Sequence, residues 1–145
     1  MKSAHHPLVP GLLMIGSLAA AAVAAHHNPA FYFDLGAVVI HREVTAVSFT
    51  PSNPHGRLVY SMAAADGAVT EWVAELPANN MMRRNGVESD MIQPGDTLTI
   101  RGNPGRQGAT MLRITHVLLP SGHVATFYSP QGTGSLEDLQ EPQGR

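Results

Sequence analysis

Residues 57–76, RLVYSMAAADGAVTEWVAEL, decide the fold of this chain. Two apolar-rich runs flank Asp66-Gly67, and Asp-Gly is a strong hairpin signal because a type I′ turn needs positive φ at both central residues. A two-residue loop sets the register, and Tyr60 then shares its face with Glu71 and Glu75. Because neither face of such a hairpin is cleanly polar, the sequence predicts a central, curved piece of a small barrel.

Further strands and one short helix are predicted around this hairpin. The strand predicted over Val38–Phe49 has apolar residues on both faces, which indicates a bend near His41-Arg42-Glu43 that lets it serve both halves of a closed sheet. The other predicted elements are a helix over Pro77–Arg84 and strands over Thr97–Arg101, Ala109–Leu119 and Val124–Tyr128. Three strands, a helix, two strands and a short extra strand form an order typical of an OB-like barrel.

The fold class predicted is therefore all-β with one short helix, an OB-like small barrel of five to six strands. An open β-sandwich built from similar strands is the alternative. The aromatic segment that precedes the first strand is expected to cross the barrel and to bury Phe31 or Phe33.

Composition bounds the possible functions. The chain has 145 residues, which suffice for one domain, and a formal net charge of −2. This charge gives no electrostatic case for nucleic acid or an anionic membrane as a partner. The chain has no cysteine, so neither a disulfide framework nor a thiolate site is available.

The N-terminal segment predicts export. Lys2 precedes an apolar, alanine-rich run that ends in the small residues Ala24-Ala25, as in a cleaved signal peptide. A membrane anchor is the less favoured alternative because the run is short and contains Pro10. We therefore predict a signal over residues 1–25, a barrel domain over residues 26–128 and a disordered tail over residues 129–145. The product is expected to be periplasmic or secreted, without membrane attachment after cleavage.

The chain resembles a family of small exported bacterial domains of uncharacterised function. The matching features are a mature start of the form His-His-x-Phe, an Asn-Pro-His loop, the Asp-Gly hairpin and three later motifs. In this sequence they are His26-His27 with Phe31, Asn53-Pro54-His55, Asp66-Gly67 with Trp72 and Glu75, Arg83-Arg84-x-Gly86, Pro94-Gly95-Asp96 and Leu119-Pro120-x-Gly122. The resemblance implies the fold and export, and it implies no reaction.

Two histidines follow the predicted signal directly and suggest a metal site. Cleavage after Ala25 makes His26 the first residue, whose free amine and imidazole chelate one ion. Cleavage after Ala24 instead places His27 third, where the amine, two deprotonated backbone amides and the imidazole form a square-planar Cu(II) or Ni(II) site. Both arrangements need an unprotonated amine, so affinity should fall in acid. The alternative is a solvated N-terminal segment that binds copper adventitiously and has no specific metal function.

His55 is the best candidate for a third ligand. Pro54 restricts the backbone conformation just before it, and Gly56 leaves space around the backbone just after it. Its alternative role is a loop histidine that caps a neighbouring carbonyl. His41, in mid-strand, is expected to face solvent. His116 and His123 would stand about 13 Å apart along one face at ~3.3 Å per residue, so they cannot bind one metal together.

Paired carboxylates are the only sign of catalysis. Glu71 and Glu75 are two residues apart, about 7 Å in a strand, which suits acid–base chemistry. No nucleophile or electrophile accompanies them, and Glu75 is equally an ion-pair partner for Arg83 or Arg84. The chain is therefore not expected to be an enzyme.

Two functions stay open. One is an exported, non-catalytic binding module that holds copper or a similar transition metal through His26, His27 and His55. The other is an accessory or interaction domain that binds a partner protein or a small ligand on the barrel face, with incidental histidines.

Overall fold

The structure is a computed structural model that describes residues 28–128 and 136–139. The predicted signal and both N-terminal histidines lie outside these residues. Within them, the strands are β1 (Val39–Thr50), β2 (Gly56–Ala63), β3 (Val69–Leu76), β4 (Thr97–Pro104), β5 (Met111–Leu118) and β6 (Val124–Thr126), the α-helix is α1 (Asn79–Arg84), and the 3₁₀ helices are Pro29–Phe31, Arg106–Gly108 and Leu136–Leu139. No helix in this part of the chain combines the length and the apolar character needed to cross a membrane.

Five of the strands close into a barrel. The sheet runs in the order β3-β2-β1-β4-β5-β6, and a further pairing of β3 with β5 closes the first five strands of this order. This closing pair is parallel, with Glu75 opposite Arg113, while the other pairings are antiparallel. With α1 between β3 and β4 and β6 as an extra strand, the predicted OB-like barrel is confirmed.

The predicted bend in β1 is present as a β-bulge. The pairing of β1 with β4 shifts register between His41 and Val44, and Glu43 has a φ of +52°. After the bulge, the side chains of Val44 and Ala46 are buried in the core. One strand thereby contributes to two walls of the barrel, because a bulge turns the strand and increases its twist.

The predicted register of the organising hairpin is wrong by one residue. The loop has three residues, with Gly67 N–H donating to Ala64 O at 2.9 Å and Ala64 N–H donating to Ala68 O at 2.8 Å. Only Gly67 has positive φ, at +84°, which is a type I turn followed by a G1 bulge. Tyr60 consequently pairs with Trp72 rather than with Val73.

The corrected register separates the two faces of the hairpin. Its inward face carries the buried side chains Leu58, Tyr60, Ala74 and Leu76. Glu75 lies on the opposite face, because successive residues of a strand alternate. The predicted mixture of core and charged residues on one face was a product of the wrong loop length.

The β5–β6 hairpin repeats the same turn. Gly122 N–H donates to Leu119 O at 2.9 Å, Leu119 N–H donates to His123 O at 2.9 Å, and Gly122 has a φ of +82°. His116 therefore lies opposite Thr126. The loop between these strands has three residues, again with glycine last.

The helix α1 ends as the sequence predicts, although it starts two residues later than expected. Gly86 has a φ of +74° and follows the last turn, and Val87 N–H donates to Met82 O at 2.9 Å. This is a Schellman motif, in which glycine adopts the left-handed conformation and hydrophobic residues on both sides pack together. Met82 and Val87 are both buried in the main core.

The described segments before and after the barrel strands each contain a buried hydrophobic residue, Phe33 in the first and Leu139 in the second. Phe33 is 1% exposed and bridges to Gly105, whereas Phe31 is 68% exposed, which confirms a buried aromatic in this segment. Strand β4 continues to Pro104, three residues beyond its predicted end. Of the predicted tail, the structure describes only Leu136–Leu139, where Leu139 is buried and its carbonyl accepts a hydrogen bond from Arg42 Nη1 at 3.1 Å.

Candidate functional site

An open cavity of about 280 Å³ lies where β3 meets β5. Its lining residues come from the N-terminal segment, the β1–β2 loop, both strands and the segment that follows β6. They are Asn28, Pro29, Tyr32, His55, Glu75, Arg113 and Tyr128. The barrel closure thus gathers residues from both ends of the described chain at one place.

The β1–β2 loop holds His55 at the rim of this cavity. Ser52 Oγ donates to His55 O at 2.6 Å, and Asn53 Oδ1 accepts from Asn79 N–H, the first residue of α1, at 3.0 Å. The Asn53-Pro54 peptide bond is cis. The first hydrogen bond closes the turn within the loop, and the second attaches the loop to the start of α1.

The His55 ring faces two oxygen atoms with its Nδ1. That nitrogen lies 3.2 Å from Tyr128 Oη and 3.7 Å from Glu75 Oε1, and the histidine and glutamate side chains are 51% and 28% exposed. When the Tyr128 hydroxyl donates to the Glu75 carboxylate, its oxygen accepts the Nδ1–H of His55. This tautomer leaves Nε2 as the lone-pair nitrogen, which is the form in which histidine binds metals.

Tyr128 and Arg113 form the charged wall of the cavity. Burial raises the pKa of Tyr128 to about 12, and the nearby Glu75 carboxylate adds to that rise through its charge and a hydrogen bond. The Arg113 guanidinium lies 3.7 Å above the centre of the tyrosine ring. Tyr128 is therefore a neutral hydroxyl at physiological pH, stacked under a permanent cation.

The N-terminal segment closes the other side of the cavity. Arg106 Nε donates to Ala30 O at 2.9 Å, and Arg106 N–H donates to Tyr32 O at 2.9 Å. Asn28 caps the first 3₁₀ helix through its Oδ1, which accepts from Ala30 N–H at 3.1 Å. His26 and His27 lie outside the described residues, and the residue that follows them in sequence, Asn28, lines the cavity.

The other histidines lie elsewhere. His41 is half-buried rather than solvent-facing, because its Nδ1 lies 2.7 Å from Tyr60 Oη and its ring meets Trp72 edge-on at 4.6 Å. Burial lowers the pKa of His41. His116 is buried beside Arg101 and His123 is exposed, so the structure does not bring these two together on one face.

The carboxylates also separate. Glu71 is exposed near the tip of β3, while Glu75 joins the cavity and contacts His55 and Tyr128 instead of the predicted Arg83 or Arg84. Among residues 28–128 and 136–139, no group of three or more His, Cys, Asp or Glu side chains is placed to hold a metal ion. A metal at His55 would therefore need ligands from outside this range.

Comparison with known proteins places the chain in a family. A family model described as a family of unknown function, DUF6152, matches residues 14–113. The chain belongs to the DUF6152 family. The resemblance to a family of unknown function is thereby confirmed, while its His-His-x-Phe start stays a prediction. No curated protein and no solved structure matches this DUF6152 chain.

Five of the lining residues were not predicted from the sequence, namely Asn28, Pro29, Tyr32, Arg113 and Tyr128. Arg113 lies opposite Glu75 in the parallel β3–β5 pairing, and a closed barrel implies a closing pair of strands without giving its register. Tyr32 lies outside the strands, where alternation gives no indication of side-chain direction. Tyr128 was predicted to lie in a strand, whereas β6 ends at Thr126.

Proposed function

We propose that this DUF6152 protein is an exported, non-catalytic module that binds Cu(II) or a similar transition metal through His26, His27 and His55. The observation that carries this proposal is the cavity whose lining includes both His55 and Asn28. Asn28 directly follows His27 in the sequence, and this adjacency is the reason for assigning the N-terminal histidines and His55 to one site.

Covalent geometry supports this arrangement. Consecutive Cα atoms are about 3.8 Å apart in any chain, and His27 and His26 precede Asn28 by one and two residues in the sequence. The N-terminal amine produced by cleavage after Ala24 or Ala25 is within one further residue. An amine, an imidazole and the His55 ring then form a nitrogen-rich ligand set, which suits Cu(II).

The surroundings of His55 support a ligand role over a capping role. Its Nδ1 is directed at Tyr128 and Glu75, with distances of 3.2 and 3.7 Å, and not at a backbone carbonyl. A carboxylate or hydroxyl on the second ring nitrogen fixes the tautomer and raises the basicity of the metal-binding nitrogen. Glu75 and Tyr128 act in this proposal as positioning residues.

The first experiment determines the first residue of the exported protein and the copper affinity of the same material. The full chain is produced with its own leader, the intact mass of the exported protein gives its first residue, and the same material is titrated with Cu(II) against a competing chelator. We expect one tight copper per chain, and we expect His55→Ala to weaken it about tenfold or more, as loss of an orienting or ligating group does.

His123→Ala is the matched control, because His123 is exposed in the β5–β6 turn. It should bind copper like the wild type. Equal copper affinity in the wild type and in His55→Ala would mean that the N-terminal peptide alone binds the copper. No tight copper in the wild type would end the metal proposal.

Acid should release the metal. The amine has an ordinary pKa near ~8 and histidine near ~6.5, and both must lose their protons to bind. We expect copper affinity to fall steadily between about pH 8 and pH 5. An affinity that stays constant over this range, measured by chelator competition at each pH, would contradict nitrogen ligation.

A small ligand or partner protein at the same cavity is the second candidate function. Phe31 and Tyr32 are 68% and 53% exposed next to the cavity, and exposed aromatic side chains favour binding to another molecule. This candidate predicts that Tyr32→Ala weakens binding of a partner while copper affinity stays unchanged. Isolation of the exported protein with a bound small molecule or partner would identify that ligand.

A further inference from the structure

Arg113 places a cation without a counter-charge in the wall of the β3–β5 cavity. The residue is 9% exposed, and its Nη1 is enclosed without a hydrogen-bond partner among the residues that the structure describes. The guanidinium carbon lies 3.7 Å from the ring centre of Tyr128. A ring face compensates part of the charge, but it does not satisfy the five N–H groups of a guanidinium.

The carboxylate that lies nearest in the sheet is engaged elsewhere. Glu75 is opposite Arg113 in the parallel pairing of β3 with β5. Its Oε1 instead lies 3.7 Å from His55 Nδ1, and its carboxylate shares a hydrogen bond with Tyr128. Within residues 28–128 and 136–139, no carboxylate forms an ion pair with Arg113. Burying a charge without a partner costs free energy that folded proteins rarely leave uncompensated.

The other side of the cavity is apolar and aromatic. Pro29 and Tyr32 line it, and Tyr32 is 53% exposed. Phe31 extends this surface, with its ring centre 6.5 Å from that of Tyr32. The cavity volume of about 280 Å³ exceeds the ~150 Å³ of an engineered protein cavity that binds benzene. A flat apolar group of that size therefore fits beside the cation.

We propose that this cavity binds a small organic acid, whose carboxylate pairs with Arg113 and whose apolar body packs against Pro29 and Tyr32. The inference rests on the second candidate function, a small ligand at this cavity, and it needs no metal. A guanidinium holds a carboxylate through two parallel charge-assisted hydrogen bonds. Because Nη1 is enclosed, the edge formed by Nε and Nη2 is the one that receives the carboxylate.

The test titrates benzoate into the metal-free protein. The exported full chain is dialysed against a chelator and then against Tris chloride buffer without the chelator, so that no metal contributes to binding. Benzoate, acetate and benzamide are added in separate titrations, while two-dimensional nitrogen–proton NMR spectra record the backbone amides and the arginine Nε–H groups. We expect saturable shifts with benzoate at Arg113 Nε–H and at the cavity lining.

The wild type alone already tests the charge. Benzamide has nearly the same shape as benzoate but no charge, so we expect it to bind about tenfold more weakly or worse. Acetate has the charge without the apolar ring, so it should also bind about tenfold more weakly or worse than benzoate. Neither comparison depends on whether a variant folds.

Variants then locate the site. Arg113→Gln should weaken benzoate binding about tenfold or more, and Arg113→Lys should also weaken it, because lysine keeps the charge but lacks the planar fork. Tyr32→Ala should weaken benzoate and leave acetate unchanged, because it removes only apolar contact. Arg83→Gln is the control, since Arg83 is exposed on α1 and lies outside the cavity lining.

The outcomes separate this inference from the functions proposed above. Equal affinity for benzoate and benzamide would overturn it, and so would unchanged benzoate affinity in both Arg113 variants. If the exported protein carried a neutral small molecule in this cavity and bound neither benzoate nor acetate, the acid would be overturned and the small-ligand function would stand. A failure to bind copper would end the metal proposal alone, because the benzoate titration is made without metal.

Discussion

Two buried side chains at the β4–β5 pairing, Arg101 and His116, affect the stability of this barrel. Arg101 is 1% exposed, and its Nε and Nη2 have no hydrogen-bond partner among the described residues. Its Nη1 lies 3.5 Å from Nδ1 of the buried His116. Burial first, and then the positive charge of Arg101, lower the pKa of His116.

Replacement of Arg101 by methionine should stabilise the fold. It removes an unpaired buried charge, and we expect the free energy of unfolding to rise by about 1–3 kcal/mol, the usual cost of such a group. Urea denaturation measures this change, with Arg83→Met on the exposed face of α1 as the control, expected within about 0.5 kcal/mol of wild type. A loss of stability in Arg101→Met would mean that the guanidinium has a partner.

His116 and His41 should make the protein less stable in mild acid. Their pKa values are lowered in the folded state, so the unfolded chain binds more protons below about pH 6.5. Their contribution is fully present above that pH and is lost as the pH falls through the ordinary histidine range. The urea midpoint of the wild type should therefore drop between pH 7.5 and pH 5.5.

The variant His116→Gln should lose less stability over this interval than the wild type, because it has one titrating group fewer. His123→Gln, at an exposed position, is the matched comparison and should follow the wild type. If the urea midpoints of His116→Gln and the wild type fell equally between pH 7.5 and pH 5.5, His116 would not contribute to the loss of stability in acid.

At the scale of elements, loop length decides which residues reach the core. Both hairpins close with a three-residue loop whose last residue is a glycine, Gly67 or Gly122, with φ of +84° and +82°. The dipeptides Asp-Gly and Ser-Gly fit a two-residue loop equally well, so alternation and turn chemistry could not choose between the registers. The bulge of β1 was predictable, because apolar residues occupy both faces of the strand.

Two glycines should respond differently to alanine. A Cβ at Gly67 meets no atom within 4 Å, so Gly67→Ala costs only its positive φ, about 1–2 kcal/mol. A Cβ at Gly102 would lie 2.8 Å from Leu112 Cγ and even closer to the Arg113 carbonyl oxygen. Gly102→Ala should therefore destabilise more than Gly67→Ala in urea denaturation, and the reverse order would contradict the close β4–β5 packing.

At the scale of the whole molecule, barrel closure creates the candidate site. The parallel pairing of β3 with β5 sets Glu75 opposite Arg113, and the ends of the described chain bring Asn28 and Tyr128 to the same cavity. The sequence alone predicts the barrel, the hairpins and His55. It cannot predict a cavity whose residues are separated by up to the length of the domain, because their proximity depends on registers and on loop paths.

We propose that one copper ion takes ligands from both the N-terminal histidines and His55. Pulsed electron paramagnetic resonance on the singly loaded exported protein counts the imidazoles coupled to Cu(II). The account predicts that His55→Ala lowers this count by one relative to both the wild type and His123→Ala. An unchanged count in His55→Ala would contradict it, because the copper would then be held by the N-terminus alone.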